Sequence, residues 1–443
     1  MRVLLINKSD STGGAAVVTF RLMEALRKEG VDARMLVVEK LTDSPYVKKA
    51  APLWRARIPF LLERLKVFLK NGFNRDTLFK IDLGSDGLPI LRHPWVKEAD
   101  IICLNWVNQG MVSLKDIHKL RKKGKRIVWT MHDMWNMTGI CHHAGNCNQY
   151  TSDLCKRCPL LDVKHANPSC AIDTLNAKSL AYYGDQFYPD IHFVAVSNWL
   201  FNCALRSSLL RKCDDRLHVI PNAFPFPENV IPRAPHKSGD NYTLLFGAAR
   251  LDDPIKGLPI LIAATQALKE NHPDLASRLK IKTFGNVKFP ESLTGFGIDH
   301  EHLGMIRGSE ALRKTYESGD ILLSTSLYET LPGTLVEAQA YGCLPVAFSS
   351  GGQSDIIKNG RTGILIPFRE NLQGRVNLEG VGVDDIRKAG EDFAEAIAKA
   401  VYLLEADCDI IDRMSISARD KFSSEIVARK YIDLFNSMLK HPS

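Results

Sequence analysis

The stretch Leu327-Tyr328-Glu329-Thr330-Leu331-Pro332-Gly333-Thr334-Leu335-Val336-Glu337-Ala338 sets two carboxylates eight positions apart, with a Pro-Gly pair between them. An apolar strand pattern, Ile321-Leu322-Leu323, precedes it, and a helix pattern from Thr334 to Tyr341 begins between the acids. One Glu therefore falls on a loop at a strand's end and the other about one turn into the next helix. That is the binding edge of an open α/β sheet. A carboxylate carries two acceptor oxygens side by side, which match a vicinal diol. A helix start led by Pro332 presents unpaired N–H groups and a positive dipole end to phosphate. The spacing points to a polyhydroxylated, phosphorylated ligand. The bland alternative is a helix-start acid beside an unrelated surface Glu.

Neighbouring segments bear on that choice. Arg250 and Lys256 occur in Phe246-Gly247-Ala248-Ala249-Arg250-Leu251-Asp252-Asp253-Pro254-Ile255-Lys256-Gly257, read as a loop at a strand end where small residues leave room. A planar Arg fork with a Lys point charge suits a diphosphate and would neutralise charge that grows on a pyrophosphate leaving group. Ser349-Ser350-Gly351-Gly352-Gln353-Ser354-Asp355 follows a further strand, and its glycines are read as letting backbone N–H groups approach a ligand. Ser11-Thr12-Gly13-Gly14 repeats that logic in the first β/α turn. Taken singly, each is equally a solvated loop or a plain turn.

A chain of 443 residues fits two or three domains. Its apolar content of 45% and charged content of 24% are those of a globular protein. No apolar run is long enough to cross a bilayer, and Met1-Arg2-Val3-Leu4-Leu5-Ile6-Asn7 is a first strand rather than a leader, so a cytoplasmic site of action is expected. The net charge of +8 is concentrated in the first 130 residues, as suits acidic substrates or an anionic membrane face. No nucleic-acid-binding motif accompanies it, so nucleic acid is not an expected partner.

Apolar strands alternate with helices along the chain: Val3 to Ile6, Val31 to Val38, Ile101 to Leu104, Arg126 to Thr130 and Ile191 to Val196. A second series starts at Tyr242 and continues through Ile281 to Gly285, 320 to 324 and Leu344 to Phe348. Such alternation implies parallel sheets covered on both faces. The expected domains are 1–222 and 242–422, with a Pro-rich linker at 223–241 and a closing helix at 423–443 that returns to the first domain. A cleft between the two domains is expected.

Three further features stand out. His132, in Trp129-Thr130-Met131-His132-Asp133, follows a strand and is either a substrate contact or a satisfied structural histidine. Cys141, Cys147, Cys155 and Cys158 form a cluster, within a loop at 139–160, that ends in a Cys-x-x-Cys. Four thiolates can enclose a structural zinc; reduced thiols and disulfides are the other readings. Trp54 to Lys70 is basic, aromatic and amphipathic: either a membrane-interface helix or one packed on its domain.

These pieces together resemble the retaining GT-B glycosyltransferases of the "group 1", or family four, type. The residues carrying the resemblance are Arg250 with Lys256-Gly257, Glu329 and Glu337, Ala340 to Val346, Gly351-Gly352 and Gly360-x-x-Gly363. Looser agreement at Gly13-Gly14, Ser197-Asn198 and Ile220-Pro221-Asn222 extends it over nearly the whole chain. His132-Asp133-Met134-Trp135 before clustered cysteines looks like a bacterial exopolysaccharide or capsule branch, similar to colanic-acid enzymes.

The resemblance implies an α/β GT-B fold of two Rossmann-like domains, and transfer of a sugar with retention and without a catalytic metal or other required cofactor. The donor would be a UDP- or GDP-sugar. The acceptor would be a glycan or polyprenyl-linked glycan, met at the cytoplasmic face of the inner membrane. Glu337 would hold the ribose, Glu329 and His132 would contact the donor sugar, and Arg250 and Lys256 the diphosphate. Thr330, Leu331, Pro332, Gly333 and Thr334 would line the donor site, with Gly13 and Gly14 approaching it. Asp355 stands where many members have Glu, and Asn222-Ala223 replaces Asn-Gly, which leaves donor preference open. A GT-B epimerase and a non-catalytic zinc-loop protein on a lapsed fold are the rival readings.

Overall fold

The computed structural model describes residues 1–152, 154–184, 190–227 and 236–440. The chain divides into two compact units, 1–225 with 424–443, and 226–423. The break lies at the start of the Pro-rich stretch, whose Pro232 and Pro235 fall outside the described residues.

The first unit contains β1 (Arg2–Ser9), α1 (Gly14–Lys28), β2 (Asp32–Glu39), β3 (Val47–Lys49), α2 (Leu53–Lys70), β4 (Ile101–Leu104), α3 (Leu114–Lys122), β5 (Arg126–Met131), α4 (Cys170–Tyr183), β6 (Ile191–Ala195), α5 (Asn198–Arg206) and β7 (Leu217–Val219). The strands form one parallel sheet in the order β3-β2-β1-β4-β5-β6-β7. β1 is flanked by β2 and β4, with Leu4 opposite both Arg34 and Ile102. Strand order reverses there, so the carboxyl edge of β1 and β4 is the topological switch point where such sheets bind ligands. Local chemistry sets the helix limits. α1 stops at Gly30, whose φ of +83 lets its N–H reach Arg27 O at 3.1 Å. Ser113 caps α3 by accepting the Asp116 N–H at 3.1 Å.

The second unit contains β8 (Tyr242–Arg250), α6 (Leu258–Asn271), β9 (Leu279–Asn286), β10 (Asp299–His302), α7 (Ser309–Glu317), β11 (Ile321–Ser324), α8 (Gly333–Ala340), β12 (Leu344–Phe348), β13 (Ile364–Ile366), α9 (Val383–Ala406) and α10 (Ile410–Phe422). Its parallel sheet runs β10-β9-β8-β11-β12-β13, again reversing beside its first strand. Leu244, Ile281, Leu323 and Val346 meet Leu261, Phe393 and Ile397 in its core.

The closing helix α11 (Ser424–Lys440) belongs to the first unit. Val427, Tyr431 and Phe435 recur at four-residue spacing and pack with Val3, Leu5 and Met23. Tyr431 OH lies 2.9 Å from Thr130 Oγ1, and Arg126 Nε donates to Met438 O at 2.9 Å. No described helix is long and apolar enough to cross a membrane.

Candidate functional site

In the second unit, Lys256 and Glu329 meet. Lys256 closes a single 3-10 turn, Pro254–Lys256, and its Nζ donates to Glu329 Oε1 at 2.5 Å. That turn is tied to the end of β11: Leu327 N–H donates to Ile255 O at 2.8 Å, and Thr325 Oγ1 to Lys256 O at 2.8 Å. Gly257 permits the contact. Its φ is +67, and a Cβ there would lie 2.2 Å from Thr325 O.

Glu337 lies one turn into α8, where Tyr316 OH donates to its Oε2 at 3.0 Å. Tyr316 comes from α7, is fully buried and stacks on Tyr341 with ring centroids 5.9 Å apart. Sequence reading missed it; an aromatic near the end of a polar helix, just before the strand that leads to the motif, was the available signal.

Arg250 is placed differently from the sequence reading. β8 continues as a strand through Arg250, with an irregularity in its pairing to β9 between Gly247 and Arg250. The guanidinium faces its own connection, 3.5 Å from both Asp252 Oδ1 and Asp253 Oδ2. The room at Gly247 is also filled, since a Cβ there would sit 2.1 Å from the Phe284 ring.

Gly351 and Gly352 pack against the motif's own backbone. A Cβ on Gly351 would lie 2.1 Å from Glu329 O, and one on Gly352 1.9 Å from Thr330 O. Gly352 N–H donates to Glu329 O at 2.8 Å. The glycines therefore hold the Glu329-Thr330 loop in place; in this geometry the space their missing side chains leave goes to that loop.

In the first unit, Gly13 starts α1 at φ +89, and a Cβ on Gly13 or Gly14 would meet nothing within 4 Å. His132 follows β5, with Nε2 3.1 Å from Asn105 Oδ1. Asn105 follows β4 at the switch point, and its amide nitrogen donates to Cys103 O at 3.3 Å, so Oδ1 is the atom that accepts from Nε2–H. Burial pulls His132 down to about 4, against the opposing charge of Asp133, so the ring is neutral at pH 7.

Asp133 turns the other way. Burial would raise its carboxyl, but His142, at 2.7 Å from Oδ2, and other donors hold it at about 2. The His143 charge and the Trp135 N–H, at 2.8 Å, add to the lowering, and Trp106 Nε1 also donates to Oδ2 at 3.0 Å. Lys178, also unread in the sequence, is wholly buried and pushed down to about 7 by burial. Its Nζ donates to the carbonyls of Trp135, Thr138 and Gly139, clamping the segment after His132.

None of the ten cysteines is paired in a disulfide. Burial pushes Cys141 up to about 12 and Cys158 up to about 11, with neighbouring thiols of the cluster adding to both shifts. Cys155 accepts the Gly139 N–H at 3.3 Å, from a backbone held at φ +57. Among the described residues no three His, Cys, Asp or Glu side chains converge as a metal would require. His142, next to Cys141 in the chain, is engaged by Asp133.

Residues 242–375 match the model of the family described as "Glycosyl transferases group 1". The chain is 22% identical over 379 residues to WcaC of Escherichia coli K12, named for a glycosyl transferase of colanic acid biosynthesis, covering 81% of this chain and 85% of that one. It is 30% identical over 123 residues to the D-inositol 3-phosphate glycosyltransferase of Actinosynnema mirum, which is 26% of this chain and 30% of that protein. Among solved structures, HepE of Anabaena in complex with UDP aligns at a TM-score of 0.57 and 14% identity, covering 99% of this chain and 100% of that one. Sucrose-phosphate synthase from Thermosynechococcus elongatus aligns at 0.59 and 15%, covering 99% of each. At these identities the likeness shows the fold, two parallel-sheet α/β domains of GT-B type.

Proposed function

We propose, from the premise that residues 242–375 are a group 1 glycosyltransferase domain, that the chain transfers a sugar from a nucleotide donor to a glycan or lipid-linked glycan in surface polysaccharide synthesis. The Lys256–Glu329 contact, with Glu337 one turn further on, carries the reading. A cation from the connection after β8 meets a carboxylate from the connection after β11, and the second carboxylate lies one turn into α8, a set that suits a diphosphate, a sugar and a diol. Glu337 holds the ribose. Lys256 and Arg250 receive the diphosphate and neutralise the charge that develops as the sugar–phosphate bond breaks. Glu329 faces the transferred sugar.

HepE was solved with UDP and with UDP-glucose, which supports a UDP-sugar donor. WcaC supports a polysaccharide product. Retention follows the family pattern: the acceptor oxygen bonds to the anomeric carbon on the face from which the phosphate departs, and the departing phosphate takes the acceptor's proton. The chemistry assigned to these side chains uses no metal. The test is transfer by purified protein over a panel of UDP-, GDP- and ADP-sugars, with thermal stabilisation reporting binding. Wild-type transfer by both Glu329→Ala and Glu337→Ala would overturn the assignment.

A further inference from the structure

α2 is built inside out. Trp54, Ile58, Leu61, Leu62, Leu65 and Leu69 recur at three- and four-residue spacing along one face, and each is between 44% and 63% exposed. The face turned to the domain buries Glu63 and Arg64 beside only the smaller apolar residues Ala56, Pro59 and Val67, with Glu63 fully buried. Both are held by specific partners. The Glu63 carboxylate accepts the N–H groups of Leu83, Gly84, Ser85 and Asp86 at 2.8–3.2 Å. Arg64 donates to Asp82 at 2.7 Å and to the carbonyls of Leu78 and Ile81. Rolling α2 to bury its leucines would strip the Arg64 guanidinium and the Glu63 carboxyl of their hydrogen-bond partners inside the protein, which costs more than leaving the apolar row exposed. The outward face is therefore locked.

We infer that this face of α2 docks onto an anionic lipid bilayer, lying in the interface with its apolar row immersed. Charge complementarity selects that occupant. Arg55 and Arg57 are exposed beside the row, Lys70 follows Leu69, and Arg75 and Lys80 continue beyond the helix. The helix's single acid is Glu63, which is buried, Asp86 pairs with Lys66 at 2.7 Å, and Asp76 is the one exposed acid between Arg75 and Lys80. A second copy of the chain would bring two basic rims together, whereas anionic headgroups pair with them. Trp54, its ring 4.8 Å from the Arg55 guanidinium, stands at the N-terminal end, a residue pair suited to the headgroup layer.

The position of α2 gives the docking a use. A Cβ on Gly110 would lie 2.5 Å from Phe60 N and Pro59 C, so the loop after β4 packs directly under the helix. Lys8, near the end of β1, sits 5.1 Å from the Phe60 ring centroid. α2 thus covers the carboxyl edge of the first sheet at its switch point, and a membrane held there delivers a lipid-linked acceptor to that edge. This use rests on the acceptor reading above; the test does not, because it needs neither donor nor acceptor.

The full chain is sedimented with vesicles of neutral lipid alone and of neutral lipid with about one-third anionic lipid. Binding to the anionic vesicles that falls at least tenfold in Leu61→Ser/Leu65→Ser and in Arg55→Gln/Arg57→Gln, with melting and nucleotide stabilisation unchanged, is the expected result. In Trp54→Leu the blue shift of tryptophan emission on binding should shrink. Equal binding by wild type and both double variants overturns the proposal. So does concentration-dependent dimerisation, without vesicle binding, that Leu61→Ser/Leu65→Ser abolishes, which would give the face to a second copy. Loss of transfer with intact vesicle binding would instead count against the proposed function alone.

Discussion

Lys256 holds its ammonium 2.5 Å from the Glu329 carboxylate in a partly buried pair. Before a donor binds, Glu329 neutralises the cation that a diphosphate would need. Removing the carboxylate's charge should then help the nucleotide and harm the reaction. Glu329→Gln is expected to bind UDP at least as tightly as wild type while transfer falls roughly 10²-fold. Lys256→Ala should weaken both. Stability should move by no more than about 1 kcal/mol, because solvent reaches the pair. Calorimetric UDP titration beside a transfer assay separates the two effects, and tighter binding in Lys256→Ala would contradict the role.

Tyr316 fixes the second carboxylate. Its hydroxyl donates to Glu337 Oε2 at 3.0 Å while its ring stacks on Tyr341. Tyr316→Phe keeps the stacking and deletes one hydrogen bond, worth about 1 kcal/mol. Glu337 would keep its charge and lose its orientation. The expected outcome is a rise of about fivefold in the donor KM with kcat little changed. Steady-state kinetics over donor concentration measure it, and a fall confined to kcat would place Tyr316 nearer the chemistry.

Gly352 tests whether the glycine pair positions Glu329. A methyl group there would stand 1.9 Å from Thr330 O, so the Glu329-Thr330 loop must shift. Gly352→Ala should cost about 1–3 kcal/mol of stability and reduce transfer as strongly as Glu329→Ala does. At Gly360 a Cβ would meet nothing within 4 Å, although its φ of +73 disfavours a side chain. Gly360→Asn, which tolerates that conformation, should retain transfer. Thermal melts and transfer assays on the two variants decide it.

The sheets and the Glu329–Glu337 spacing were legible because buried parallel strands read as unbroken apolar runs, and because the Pro-Gly pair marks a helix start. Other elements were visible and passed over. α9 buries Phe393, Ile397, Ala400 and Leu404 at helical spacing, yet its first turn is acidic and its Val383 is exposed. The edge strands β3, β7 and β13, of three residues each, are too short to show a period. What no pattern could give was partner choice across the chain. The glycines of 351–352 were read as ligand-facing, and only folding reveals the Glu329 and Thr330 carbonyls beneath them. Likewise the amphipathic character of α2 was plain, but its inverted placement depends on the 83–86 backbone that receives Glu63.

The first unit should lose stability in mild acid. His192 on β6 and His218 on β7 lie with Nδ1 and Nε2 2.9 Å apart and rings stacked at 5.2 Å. Burial depresses His192 to about 4, aided by the His218 and Arg216 charges and opposed by Asp190 and Asp215. Burial lowers His218 as well, against Asp215. His132 is likewise brought down to about 4. In the unfolded chain each ring titrates near about 6.5. Between about pH 6.5 and 4 the unfolded state therefore binds more protons than the native state, so unfolding becomes easier as pH falls. The stability is fully present above about 6.5 and drains away toward 4, by up to ~1.4 kcal/mol per pH unit for each histidine. Melting temperature followed from pH 7.5 to 4 should drop across this window. The drop should be shallower in His192→Gln, where one ring of the stacked pair no longer takes up a proton on unfolding. An unchanged slope in His192→Gln would mean that the β6–β7 pair contributes nothing to it.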